Sequence, residues 1–391
     1  EDAQAYVGRG LVRVANEDYS EARADYDEAI NIDPQLADAF ARRGLLNVVL
    51  NCLAEALEDF CEAVRLDPHA AIAFANRGKV YHTLDRIAEA IADYNEAIRL
   101  NPEEARVYRN RGSANFDLGR FEEARKDYEV VIRLEPTDAR SHARLGAVYE
   151  ALGLTSEALA HYSAALQLNP RDAQSFFRRG FIYQEFGHYL EAVADYDEAV
   201  SLEPDMTQAV FNRGESYEAL GGYQEALADF DEAIVQGIEG PSVFVKRGNV
   251  HKALEQYDEA ISDYDAAIEL NVVKAEVYSS RGNSYNALGR YENALADYGE
   301  AISLNPELAR AHYERGFVYR NQEQFEEALA DFGRVIELEP ENADAYIERG
   351  GIYEELERHE EALVDLNEAI LLQPEETSLL LIRGQTYEAL G

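Results

Sequence analysis

The chain has 391 residues, 47% of them hydrophobic, with one Met, no Trp, two cysteines and a formal charge of −40. That charge excludes a nucleic-acid binder, which needs a basic footprint to displace counterions from phosphates, and an anionic membrane surface would repel it. No apolar run approaches a membrane span, and Cys52 and Cys61 give neither a metal spacing nor a disulfide framework.

Glycine recurs every 34 residues, from Gly10, Gly44 and Gly78 to Gly350 and Gly384, without insertion or deletion. Alanine follows twelve residues later, from Ala22 and Ala56 to Ala362, and proline closes most units, as at Pro34, Pro68 and Pro374. The period defines eleven full units and a partial one: 3–36, 37–70, 71–104, 105–138, 139–172, 173–206, 207–240, 241–274, 275–308, 309–342, 343–376 and 377–391. A period of this length decides the architecture before any single element does. Each unit reads as two helices. In 71–104, Phe74, Gly78, Tyr81 and Leu84 share one helical stripe, and Ala90, Tyr94, Ala97 and Ile98 share a second. Gly119, Gly153, Gly187, Gly221 and Gly289 stand where a left-handed residue ends the first helix, and proline ends the second. The expected fold is all-α, a single solenoid of 23 helices over residues 1–391, with Ala192 and Ala226 at tight crossings.

Departures from the period follow in chain order. Glu1 and Asp2 fill the last two slots of a preceding unit. Unit 5 has Leu145 where eleven of twelve units have arginine before the glycine, and His161 where ten of eleven second helices have aspartate. This joint loss predicts an ion pair inside each ordinary repeat, such as Arg77 with Asp93. Units 7 and 8 lack the terminal proline, with Gly237 and Gly240 in 236–240 and Asn271 in 271–273, which predicts a different step there. The final Tyr387–Gly391 stretch ends a first helix with no second helix after it. The array is expected to be an excerpt of a longer chain, with uncapped ends that allow self-association.

Twenty-four of the 25 tyrosines fall in four packing slots, and only Tyr313 is off-slot. Off-slot phenylalanines are Phe116, Phe177, Phe181, Phe186, Phe211 and Phe317. The histidines form no metal or catalytic spacing. The acidic slots of the second helices, Glu21, Glu55, Glu89 and Glu123 with Asp25, Asp59 and Asp93, read as a solvated outer face. No catalytic residue, metal site or cofactor is expected.

The pattern Y/F-x-x-R-G-x-x-Y followed by E-A-x-x-D-Y-x-E-A-I-x-L-x-P resembles the tetratricopeptide repeat family over the whole chain. The family's first aromatic slot often holds Trp; here it holds Tyr or Phe, or His at His142 and His312. The resemblance implies a right-handed superhelix whose first helices line a concave groove for peptides or partner domains. Mapping its groove slots gives three zones. Val7, Leu11, Val14, Leu45, Val48 and Val49 come first. A basic zone follows, with Arg42, Asn76, Lys79, Arg106, Arg109, Asn110, Arg140, Arg144 and Arg178 beside Phe116, Phe177 and Phe181. Phe211 and Asn212 adjoin it. The last zone turns acidic, with Glu215, Glu218, Glu276, Glu314, Glu348, Glu354 and Glu355 around Tyr313 and Phe317. Free drift of arginine across exposed slots is the competing explanation of the basic zone. Some family members clamp a C-terminal carboxylate. Asn110, Arg140 and Arg144 fit that clamp, but Ala75 replaces its lysine and Lys79 stands at its asparagine.

The expected function is a non-catalytic scaffold that binds a protein or peptide. The expected partner is an extended or helical segment with acidic and apolar residues, lying across repeats 3–7 on the aromatics and arginines. Alternatives are a substrate-recruiting arm of a larger enzyme and an end-to-end assembly element. A cytoplasmic location is expected.

Overall fold

The computed structural model describes residues 2–238, 240–271 and 273–391, and among them the chain forms 23 α-helices and no strand. They fall into two compact units, residues up to 187 and residues 188–391. The first holds repeats 1–5 and the first helix of repeat 6, Ala173–Glu185; the second runs from Tyr189–Leu202 to Thr377–Leu390. Inside each unit a first helix packs against its own second helix, and that second helix packs against the next first helix.

Repeat 3 gives the reason. Its helices Ala71–Thr83 and Ile87–Leu100 each put small or aromatic residues on one face, and Ala90, Tyr94 and Ala97 are buried. A Cβ at Gly78 would stand 2.8 Å from Tyr94 Cε1 and 3.2 Å from the Ala90 carbonyl oxygen, so the glycine slot is what lets the tyrosine ring lie across the first helix. In the second unit Ala226, Phe230 and Ala233 make the same core, and Ala192 is fully buried as well.

First helices end as the sequence predicts. The Gly119 N–H donates to the Phe116 carbonyl (2.9 Å) and the Arg120 N–H to that of Asn115 (2.8 Å), with Gly119 at φ +71°. Glycine is not required there, because Glu17, Asn51, Asp85, Glu255, Glu323 and Glu357 adopt the same left-handed conformation. Most second helices stop differently, at an extended residue before proline, as Asp67 does (φ −128°, ψ 93°) ahead of Pro68. In repeat 7 the helix Tyr223–Val235 stops instead on left-handed Gly237, with the Ile238 N–H donating to the Ala233 carbonyl at 3.0 Å. In repeat 8, Asn271 takes the left-handed position at φ 65°. The two ends singled out by their missing prolines therefore carry a different helix stop. Glu239 and Val272, which belong to those segments, lie outside the described residues, as does Glu1.

The ion pair inside each repeat is present in nine described repeats, at 2.5–2.8 Å, from Arg9–Asp25 to Arg349–Asp365. The aspartates are buried, which corrects their placement on a solvated outer face; only the glutamates, such as Glu55 and Glu89, stay exposed. Arg179 and Asp195 fall in different units. The guanidinium also forks backwards to the preceding second helix: Arg43 to Asp27 (2.7 Å), Arg111 to Asn95 (2.6 Å), Arg213 to Asp197 (2.7 Å) and Arg247 to Asp231 (2.6 Å). Each arginine thus ties two neighbouring repeats. In repeat 5 the lost pair is replaced by buried Leu145 and by a ring stack in which His161 lies between His142 (centroids 5.4 Å apart) and Tyr149 (5.3 Å). Burial, and then the His142 charge, lower the His161 pKa, so the ring suits the apolar gap the arginine leaves.

Candidate partner-binding cleft

In repeat 5, residues two and six of the unit lie along the exposed side of the first helix. That helix, Ala139–Ala151, carries Arg140 and Arg144 four residues apart, so both stand on one face with Cβ atoms about 5–6 Å apart. Both are exposed, and neither has an ion-pair or hydrogen-bond partner among the described residues. Between this helix and Ala173–Glu185 lies a cleft of about 650 Å³, lined by Arg140, Arg144 and Arg178, with Phe116 and Tyr162 among its walls. Small residues of the same lining, Ala143 and Ala147, leave the space open.

The carboxylates nearby are engaged. Asp172 accepts from the Ser175 hydroxyl (2.6 Å) and its backbone N–H (3.3 Å), capping the Ala173 helix. Glu150 accepts from the Tyr162 hydroxyl at 2.7 Å and from Arg178 at 3.3 Å. Burial and then the Glu150 hydrogen bond raise the Tyr162 pKa, while Arg178 and Arg144 oppose the rise. Burial pushes Tyr128 up to about 12 against the pull of Arg144, Ser113 and Arg140. The charge of Arg144 thus favours the ionised form of both tyrosines.

The other residues read from the sequence divide. Lys79 is exposed, Asn110 is half-buried, and exposed Arg106 reaches Asn76 at 3.4 Å. Arg109 is taken into the frame, with Glu135 at 2.5 Å, Asp138 at 2.8 Å and the Ser141 hydroxyl at 3.2 Å. Phe177 and Phe181 are half-buried on one helix, and Phe116 packs edge-on against Phe121 with centroids 5.3 Å apart. Three expectations fail. Phe211 is buried in the core of the second unit, 5.6 Å from the Phe230 ring. Asn212 and Asn76 are buried too; Asn212 accepts from the Gln208 amide at 2.7 Å. Phe211 stands at the fifth slot of its unit, which turns under the helix, so a large side chain there reaches the core, and Val7 at the same slot is also buried; Asn76 and Asn212 are sixth-slot residues with short side chains. Tyr313, another fifth-slot residue, packs edge-on against Phe332 (5.5 Å), whereas Phe317 stays exposed.

In the second unit a smaller cleft, about 350 Å³, lies at the matching place, lined by Arg310, Tyr313, Glu314, Glu339 and Asp344 among others. Sequence reasoning missed one connection between repeats there and in the first unit. Residue twelve of one first helix meets residue six of the next: Glu150 with Arg178, Glu218 with Lys246 at 3.3 Å, and Arg320 with Glu348. The charges reverse along the chain, so no fixed residue type marks these slots.

Among the described residues no helix is long and apolar enough to cross a membrane. No curated protein matches the chain. Solved structures do. A MamA protein is 25% identical over 44% of this chain and 94% of its own, with a TM-score of 0.41. Yeast Tom70 is 16% identical over 98% of this chain and 95% of its own, with a TM-score of 0.40. The pilF protein of Pseudomonas aeruginosa is 22% identical over 52% of this chain and 92% of its own, with a TM-score of 0.47. Likeness at these TM-scores says nothing of partners. Family models are more telling: a tetratricopeptide repeat model matches residues 36–105, 76–139, 109–173 and 177–241. Further repeat models match 2–48, 241–271, 282–323, 309–342 and 343–376. With those matches laid on helix pairs of one 34-residue pattern, the chain belongs to the tetratricopeptide repeat family and is a protein-interaction scaffold.

Proposed function

We propose that the scaffold is non-catalytic and that the first-helix face of its first unit holds an extended or helical partner segment rich in acidic and apolar residues. One observation carries this reading: Arg140 and Arg144 are exposed, unpaired among the described residues and turned to an open cleft. On a chain of charge −40, two such arginines on one helix face and at one cleft form a local positive site. Charge supplies steering and register, while Phe116, Phe177 and Phe181 supply apolar contact.

The test is fluorescence anisotropy with a labelled peptide alternating Glu and Phe, with a Lys/Phe peptide as control. The acidic peptide binds and the basic one does not; Phe181→Ala weakens binding by about 2 kcal/mol. Arg144→Ala removes chiefly the salt-sensitive part. Equal binding of both peptides, or indifference to Phe181 and Arg144, overturns the reading.

A further inference from the structure

The charge in the first-unit cleft exceeds what one carboxylate can use. A carboxylate takes one guanidinium in a two-pronged pair and leaves a second without a counter-charge. Arg140 and Arg144 present two free guanidiniums on one helix face, and Arg178 faces the same space with only a 3.3 Å contact to Glu150. The lining carboxylate, Asp172, accepts from Ser175 and pairs with none of the three arginines, and its single charge leaves the lining net positive. A group with about two negative charges and three acceptor oxygens matches this arrangement, and a phosphate monoester is such a group. The overall charge of −40 opposes a polyanion, which leaves a single phosphate borne on an otherwise apolar or neutral segment. Half-buried Phe181, on the helix that carries Arg178, offers such a segment an apolar contact.

We propose that this cleft is a phosphopeptide site, in which Arg140, Arg144 and Arg178 hold the phosphate of a phosphorylated side chain of the partner. The inference rests on the peptide-binding reading above and names what the peptide carries. Arg140 and Arg144 bind the phosphate oxygens directly. Arg178 closes the third side, still anchored by Glu150, and Tyr162 holds Glu150 in place through its hydroxyl.

The experiment uses the whole chain and three labelled degenerate peptide pools, alike except for a central phosphoserine, glutamate or serine. The phosphoserine pool binds about tenfold or more tighter than the glutamate pool, because two guanidiniums rather than one are satisfied. Arg140→Ala/Arg144→Ala abolishes that gap, and Arg140→Lys/Arg144→Lys narrows it, since ammonium groups keep the charge but lose the two-pronged geometry. Both pairs are exposed, so the unfolding midpoint should not move, and that measurement accompanies the titrations. Equal binding of the phosphoserine and glutamate pools, both lost in the alanine variant, overturns the phosphate inference and leaves the acidic-segment reading standing. Binding of inorganic phosphate, read by phosphorus NMR, with no pool bound above the serine pool overturns both, leaving only an anion site. A gap that survives the alanine variant places the phosphate elsewhere and overturns the assignment.

Discussion

The clefts of the two units occupy the same slots five repeats apart and carry opposite chemistry. Ala139 and Ala309 correspond, as do Arg140 and Arg310; then Arg144 becomes Glu314, Asn169 becomes Glu339, Gln174 becomes Asp344, and Arg178 becomes Glu348. Even the supporting pair is inverted, Glu150–Arg178 in one unit and Arg320–Glu348 in the other. The volumes differ as well, about 650 against 350 Å³, because Ala143 faces the first cleft where Tyr313 fills the second. Elsewhere in each unit the frame is the same: Arg77–Asp93 and Arg247–Asp263 correspond and sit at 2.8 and 2.5 Å, although repeat 5, which carries the first cleft, has Leu145 and His161 in those slots. Packing fixes the inner slots. The outer slots are free to diverge, so recognition is written on a frame that does not depend on it.

The largest effect should come from breaking the frame, and it should be equal in both units. Arg77→Ala and Arg247→Ala each strand a buried aspartate, at a cost of about 3 kcal/mol. The opposite change, Asp93→Asn or Asp263→Asn, costs less, because the guanidinium keeps solvent access and, for Arg247, keeps Asp231. Denaturant midpoints for the four variants check this. A repeat array responds through nearest-neighbour coupling, so the comparison between matched sites matters more than the absolute value. A cost below about 1 kcal/mol, or a large difference between the two arginines, would mean that the units are not built alike.

Next comes an exchange of groove chemistry. Arg144→Glu gives the first cleft the residue of the second and should weaken binding of an acidic peptide by about 2 kcal/mol. Stability should change by no more than about 0.5 kcal/mol, as is usual for an exposed site. Calorimetry and a melting curve on one preparation separate the two. Binding that survives would show that Arg144 does not face the ligand.

A smaller and again symmetrical effect concerns the turn between the paired helices. Asp85 and Glu255 hold the same slot with φ 58° and 60°, where their side chains cost about 1 kcal/mol or more. Glycine removes that strain but loosens the unfolded chain. The net gain for Asp85→Gly or Glu255→Gly should be about 0.5 kcal/mol, read from the melting temperature. A loss in either unit would mean that its side chain contributes something beyond the turn.

Much of this frame is legible in the sequence, for a physical reason. Gly78, Ala90 and Tyr94 touch one another, so none can drift, and their period shows directly. The Arg–Asp pair shows through its joint loss at Leu145 and His161. The backward reach of the same arginine does not, because its acceptor slot accommodates Asp27, Cys61, Asn95 or Ser163. Depth is the other blind spot. Phe211 lies off the usual aromatic slots, and that suggested a ligand contact, yet at the boundary between core and groove a long side chain simply turns inward. Slot occupancy tells what the family tolerates at a position, whereas burial depends on which way that one side chain leans.

The smallest effect separates the clefts by pH. Glu314 occupies the slot of Arg144, but it is largely buried, and burial raises its pKa despite Arg310 at 3.4 Å and the nearby Lys252 charge. Its neighbour Tyr313 is pushed up to about 12, first by burial and then by the carboxylates of Glu348, Asp344 and Glu314. A carboxyl whose folded pKa lies above its unfolded value binds the proton more tightly in the folded state. Its stabilisation is therefore complete below about pH 4.3, the ordinary glutamate range, and is lost as pH rises through the raised value. At neutral pH Glu314 is a net burden, so Glu314→Gln should melt higher than the parent at pH 7. The gain stays under about 1 kcal/mol, because the group keeps some solvent and the Arg310 contact returns part of the cost. On acidification the two curves should converge, since the parent glutamate becomes a neutral group of nearly the same shape as glutamine. Arg144→Gln in the first unit provides the contrast: an exposed guanidinium stays charged throughout this range, so its effect should not vary with pH. If Glu314→Gln melts lower at pH 7, the ion pair with Arg310 outweighs burial, and the second cleft holds its carboxylate as securely as the first holds its arginines.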